Sequence, residues 1–449
     1  MEVRRFWVLV ILLLGVATSA VADGWWLAPV NVVDPRSGDV AEGRAVQVTD
    51  GRITAIEPAS ALDADGARVI DGEGGWLIPG LAEMHAHVPS QDRGDAHVND
   101  VLALFVANGV TTIRGMLGQP WHLQLRDELN SGDRLGPRLV TSGPSFNGNT
   151  VSSPEQGAGM VRVQAAAGFD LLKIHPGLSR EEFLAIMAAA NEADISVAGH
   201  VSFATGLDAA LDAGMDSIDH LDAYAEAMVP ESSPLHGVAP EWFGLNLGGA
   251  MDPSLAAGLA QRTAASGVAV VPTQSLFETT TGTESLESLT GREGMDMLTP
   301  ALLEHWSESV RDIRGRADEA TRTAFLSARR QLIAALDEAG AVILLGSDAP
   351  QIMNVPGFSV HQELVYMVDA GMSPRAALFS GTGAVADHMG EADRGDIATG
   401  EVADFILLAG NPLEDITQTT AIRGVARNGR WLDRATLDRM LDEVRTRGL

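Results

Sequence analysis

A (β/α)8 TIM-type barrel joined to a small β-sandwich domain built from both chain ends is the α/β architecture that three features of these 449 residues predict. First, from Pro79 to about Gly395 short apolar β segments alternate with helical stretches, the rhythm of a parallel sheet with crossover helices. Second, two pieces rich in strand and turn signals flank that region, one at each end. Third, no Gly-rich dinucleotide loop follows the first strand of the repeat, which argues against a doubly wound open sheet.

The elements follow in order. Arg4 and Arg5 precede an apolar run from Phe6 to Ala17, and Ala20-Val21-Ala22 supplies the small residues of a cleavage site. Residues 1–22 are therefore expected to be a signal peptide, with export to a periplasm, and the run is too short to span a bilayer. Arg4-Arg5 raises twin-arginine export, although the flanking residues match that signal poorly. Residues 23–78 form the first part of the sheet domain, with Asp50-Gly51 as a hairpin turn. The barrel is expected at 79–395, its strands at 81–87, 111–116, 138–144, 171–175, 196–200, 217–220, 268–273 and 342–348. Helices are expected at 179–193 and 322–340, and polar insertions near 278–320 and 144–159 account for its extra length. Residues 396–449 complete the sheet domain, with Asn428-Gly429 as a second hairpin turn, and end in a helix.

Composition narrows the function. Acidic residues outnumber basic ones 60 to 31, for a formal charge of −29, so a phosphate-tracking basic groove, and with it a nucleic-acid partner, is not expected. The absence of cysteine removes disulfides, thiolate metal sites and cysteine nucleophiles together. Once the leader is cleaved no stable membrane anchor is expected, and a homo-oligomer is compatible with the chain. Lys173 is the only lysine; every other basic residue is arginine.

The chemistry-bearing residues gather at strand ends. His85 and His87 lie two apart on the first barrel strand, hence on one face, and at the C-terminal rim where barrel enzymes place their sites. Two imidazoles on that face suit a divalent ion such as zinc. Singly, each of the other candidates has a bland explanation as a core or capping residue. Together, however, Lys173, His200, His220 and Asp348 end the fourth, fifth, sixth and eighth strands, and all six residues share one rim. His175, Tyr224 and Arg114 are weaker candidates for binding substrate. His361 is expected to pack at a helix start, and His97, His122, His236, His305 and His388 at the surface or in loops.

PGLAEMHAHV (79–88), NGVTTIRGM (108–116), LLKIH (171–175), VAGH (197–200), DSIDH (216–220), GSDAP (346–350) and GDIATGEVADFILLAGNPLEDI (395–416) resemble the amidohydrolase superfamily across essentially the whole mature chain. Within it the chain is most similar to imidazolonepropionase-like hydrolases and the Xaa-Pro-type dipeptidases among them. The family usually continues Arg-Asp where Arg114 is followed by Gly115, so any role of that acid is lost. The resemblance implies two divalent ions, expected to be zinc, bridged by an N6-carboxylated Lys173. His85, His87 and Asp348 would hold one ion, His200 and His220 the other, and Asp348 would also shuttle the proton as the catalytic group. Retention of one lysine on an apolar strand agrees, because an amine can become neutral and react with carbon dioxide whereas guanidinium cannot. The expected reaction is hydrolysis of an amide or dipeptide. Two alternatives stand beside it: a single-metal deaminase or cyclic-amide hydrolase with unmodified Lys173, and a metal- or solute-binding protein without turnover.

Overall fold

The computed structural model describes residues 24–64 and 66–449. The signal peptide expected at 1–22 lies outside the described residues. Strands β1 (Trp25–Val33), β2 (Val40–Thr49), β3 (Arg52–Pro58) and β4 (Arg68–Pro79) come before the barrel. The barrel holds β5 (Leu81–Ala86), β6 (Val110–Gly115), β7 (Arg138–Thr141), β8 (Leu171–Ile174), β9 (Ser196–Gly199), β10 (Ser217–Asp219) and β11 (Ala269–Val271). Near the C-terminus follow β12 (Phe405–Leu408), β13 (Ile422–Arg427) and β14 (Arg430–Asp433).

The two end pieces join into one hydrogen-bonded sheet, ordered β14-β13-β12-β4-β1-β2-β3. Its two tight hairpins are those legible in the sequence. Asp50 and Gly51 have φ of 51° and 78°, Asn428 and Gly429 of 51° and 75°, the left-handed pair that a two-residue hairpin turn demands. One face of the sheet buries Trp25, Leu27, Leu77 and Phe405; Ile78, Ile406 and Val425 belong to the barrel's own core. The sheet is thus bolted to the barrel by apolar burial.

The barrel closes from two parallel arcs, β5-β6-β7 and β8-β9-β10-β11. Bridges at Ser142–Leu171 and Phe146–Ile174 join them on one side. On the other, the segment 342–348 is extended but forms only isolated bridges, Val270–Ile343 beside it and Ala86–Ala349 just beyond. It still completes the wall, since Leu344 N donates to Val270 O at 2.9 Å and Met84 N to Leu345 O at 2.8 Å. The two expected helices span Arg180–Ala193, opened by a Ser179/Glu182 capping box, and Glu319–Glu338, capped by Asp318.

The insertion read as polar from its Ser, Thr and Glu content is helical and partly internal. All eight residues of the helix Gln274–Thr281 are buried. The hydroxyls of Thr279 and Thr281 donate to the carbonyls four residues back, both at 2.8 Å, so they enter the core already hydrogen-bonded. The Glu363 carboxylate accepts from Gln274 N (2.8 Å) and Ser275 N (2.6 Å), satisfying amides that a helix start leaves open. His122, expected at the surface or in a loop, is buried at the start of the helix His122–Ser131, its Nδ1 accepting from Gln119 N at 3.2 Å. His361 is also buried, between Thr419 Oγ1 and Asn108 O, both at 3.0 Å.

Gly109 turns the chain into β6 with φ of 78°, and a Cβ there would sit 2.5 Å from Ile406 Cδ1. Gly109→Ala is therefore expected to destabilise the fold by about 2 kcal/mol or more, combining backbone strain with a clash at the sheet–barrel contact. Denaturant unfolding of the two proteins checks this; an unchanged midpoint would refute it.

Candidate metal centre

Every residue of β5 is buried, and its alternation turns Glu83, His85 and then His87 inward. Asp348 follows the eighth barrel segment with φ of 67°, in the left-handed region, which brings its carboxylate back over the rim. Asp348 Oδ1 lies 2.6 Å from His87 Nε2 and 3.4 Å from His85 Nε2. One donor atom from each of the three residues falls within 4.8 Å of the others. The arrangement is held from below by Glu83, which accepts from His85 N (3.2 Å), Ser347 N (2.6 Å) and Ser347 Oγ (2.6 Å). Burial pushes the Glu83 carboxyl up to about 8.

His85 is braced on its far side. Its Nδ1 lies 2.9 Å from Asp219 Oδ2, the right distance for a hydrogen bond but poorly aligned for one. Asp219 Oδ1 accepts from Ser217 Oγ (2.9 Å) and Arg114 Nη2 (3.3 Å), while Arg114 Nε donates to Met84 O at 2.8 Å. Arg114, read as a substrate-binding candidate, is thus buried beneath the rim and steadies Asp219. Burial, followed by the nearby charge of Lys173, holds the His85 imidazole well below its usual range, so the ring is neutral at pH 7. Two imidazoles and a carboxylate with a carboxylate-supported histidine fit a divalent ion.

The expected pair of zinc ions bridged by carboxylated Lys173 is overturned. All six rim residues do come together: the His220 ring centroid is 4.5 Å from that of His85 and 4.5 Å from that of His200. Among the described residues, however, only His85, His87 and Asp348 converge as a metal-ligating group. His200 Nδ1 contacts Asp222 Oδ2 at 2.7 Å and His220 Nδ1 contacts Thr273 Oγ1 at 2.9 Å, which holds the two rings in place. Lys173 Nζ sits 3.4 Å from His85 Nε2 and 3.6 Å from Asp219 Oδ2, fully buried. A carbamate on that nitrogen would add an anion beside Asp219 in a site away from water.

The weaker candidates divide. His175 stacks on His200 at 4.9 Å between centroids, and burial lowers it to about 2, leaving it neutral. Tyr224 is not brought to the centre: it is buried, with its hydroxyl 2.6 Å from Thr263 Oγ1 on the helix Ala256–Ser266. Beside His200 opens a cleft of about 650 Å³ whose wall includes Leu178, Phe203, Trp242, Phe243, Asp222 and Glu226. The sequence reading passed over Glu83, Asp219 and Asp222. The period-two spacing Glu83-His85-His87 could have exposed the first, and Asp219 stood inside DSIDH beside the histidine that drew notice.

The model of the amidohydrolase family matches residues 76–432. The chain belongs to that family. This amidohydrolase is similar over 95% of its length to the solved structure of bottromycin amidohydrolase, covering 90% of that chain at 25% identity with a TM-score of 0.74. Over 91% of its length it shares the fold of a Xaa-Pro dipeptidase, covering 100% of that chain at 20% identity with a TM-score of 0.66. A stretch of 62 residues, 14% of this chain, is 48% identical to adenine deaminase of Lactobacillus delbrueckii subsp. bulgaricus and spans 10% of that protein. The donor group at the barrel rim is that of a metal-dependent hydrolase. No helix among the described residues is long and apolar enough to cross a membrane.

Arg114→Met is expected to fold yet weaken metal affinity by about 10–100-fold, the usual effect of losing support behind a ligating histidine. Chelator competition measures it, and wild-type affinity in the variant would show that the Arg114–Asp219–His85 chain is irrelevant to the metal.

Proposed function

We propose that this amidohydrolase uses one divalent ion, held by His85, His87 and Asp348, to hydrolyse a carbon–nitrogen bond in a cyclic amide or at an amino-bearing ring carbon. The observation that carries this reading is the convergence of only those three donors among the described residues, with Lys173 an amine in contact with His85. The short match to adenine deaminase supports the deaminase form of the reading.

When bound, such an ion supplies Lewis-acid polarisation of the reacting carbon and a lowered pKa for water. Neutral His85 offers a lone pair while Asp219 and Arg114 fix its ring. Asp348 is the carboxylate placed to accept a proton from the attacking water and return it to the departing nitrogen. His220 Nδ1, 4.0 Å from Asp348 Oδ2, flanks the same carboxylate. Lys173 places its side-chain nitrogen 3.6 Å from Asp219 Oδ2, beside the centre.

Metal-loaded protein is expected to contain about one ion per chain and to turn over members of a panel of cyclic amides and amino-heterocycles; ammonia release separates deamination from ring opening. An absolute requirement for a second ion would overturn the reading. Asp348→Asn is expected to lower kcat by about 10²–10⁴-fold, the range for loss of a general acid–base group. Metal content is to be measured in the same sample, so that loss of the ion is told apart from loss of the proton carrier. Export rests on the leader at 1–22, and the N-terminal sequence of protein recovered from a periplasmic extract tests it: Asp23 is expected first.

A further inference from the structure

The cleft beside His200 has an unusual charge pattern. No arginine or lysine lines it, and its only ionisable side chains besides His200 are Asp222 and Glu226. Asp222 is already bound to His200. Glu226, on the short helix Tyr224–Ala227, is partly buried and carries no ion pair among the described residues. The charged group that bears on it is Asp222, of like sign. A carboxylate withdrawn from water beside another acid is unfavourable until a proton or a cation joins it, and burial pushes Glu226 up to about 7.

The remaining wall is aromatic and held in place. Trp242 and Phe243 are consecutive bulky residues with φ of 41° and 55°, a left-handed conformation that persists only where the surroundings impose it, commonly at ligand-binding loops. Phe243 is wedged 5.2 Å from the ring of His220 and 5.2 Å from that of Phe277. Phe203 leaves 46% of its surface exposed at the opening. Arg316 lies 6.0 Å from the Trp242 ring, but it is tied to Asp312 at 2.7 Å and does not line the cleft.

We infer that this cleft is a subsite for a substrate side group with an apolar or aromatic body and a cationic nitrogen. The hydrocarbon would lie on Phe203, Trp242 and Phe243, and the nitrogen would meet Glu226 with an aromatic face alongside. The inference rests on the proposed hydrolase reading only for where the scissile bond lies relative to the cleft. Asp222 and Glu226 disfavour a substrate carboxylate in this pocket, which argues against it as the seat of a free dipeptide's C-terminus.

Calorimetric titration of the metal-loaded protein with benzylammonium, benzyl alcohol and benzoate tests the inference. Benzylammonium is expected to bind about tenfold more tightly than benzyl alcohol, as one charge pair with a cation–π contact allows, and benzoate not measurably. Glu226→Gln is expected to bring the ammonium-to-alcohol ratio near one, and Trp242→Leu to weaken benzylammonium even if the glutamine variant folds poorly. Equal binding of all three probes, a preference for benzoate, or an unchanged ratio in Glu226→Gln would overturn the subsite. The two readings fail separately. Ammonium preference without turnover of any amide or amino-heterocycle sinks the hydrolase reading alone, and turnover without the preference sinks the subsite alone.

Discussion

Glu83 is the side chain on which the rest of the centre depends. It sits on the first barrel strand with no exposed surface and grips both the amide and the hydroxyl of Ser347, 264 residues further along the chain. That contact closes the barrel where 342–348 lacks a continuous ladder, and it sets His85 and Asp348 against each other. An unpaired carboxylate would be intolerable at this depth. Here burial raises the group to about 8 and three hydrogen bonds take up its oxygens, so a polar residue does the joining that backbone pairing leaves undone.

Around it the buried charges are arranged so that each has a partner. Arg114 faces Asp216 and Asp219, Asp219 faces His85 and Lys173, and Asp348 faces both His85 and His87. Desolvation keeps His85 and His220 well below their normal range and brings His200 to about 3, so the rim presents neutral imidazoles next to carboxylates. The same accounting separates a single-ion centre from a two-ion one. Lys173 Nζ lies 3.6 Å from Asp219 Oδ2, and a carbamate there would add an anion beside that carboxylate.

The helix Glu319–Glu338 also reaches the site. The Arg329 guanidinium stacks 3.6 Å from the ring centroid of Phe277 and donates to His220 O (2.8 Å), Pro272 O (2.9 Å) and Gln274 Oε1 (3.0 Å). It thereby satisfies the carbonyls of His220 and of Pro272, next to Thr273; His220 and Thr273 both lie in the left-handed region, with φ of 63° and 48°. The His220 ring in turn meets Thr273, Nδ1 to Oγ1 at 2.9 Å.

Much of this protein follows from local pattern. The period-two alternation of 81–87, the Asp50-Gly51 and Asn428-Gly429 turns and the strand–helix rhythm determined the barrel and the sheet made from both ends, because these depend on residues near one another in the chain. The six-residue rim was legible for the same reason: strand ends are local features, and the topology brings them to one edge. What the tertiary structure alone decided is which donors meet. His85, His87 and Asp348 converge where Glu83 grips Ser347 across the barrel, and Lys173 Nζ is placed 3.6 Å from Asp219 Oδ2. Tyr224 looked well placed four residues past His220, but its hydroxyl is held by Thr263 on an outer helix. Distances of this kind are set by contacts between residues far apart in sequence, where spacing carries no information, and ligand convergence, charge balance and the shape of the cleft all turn on them.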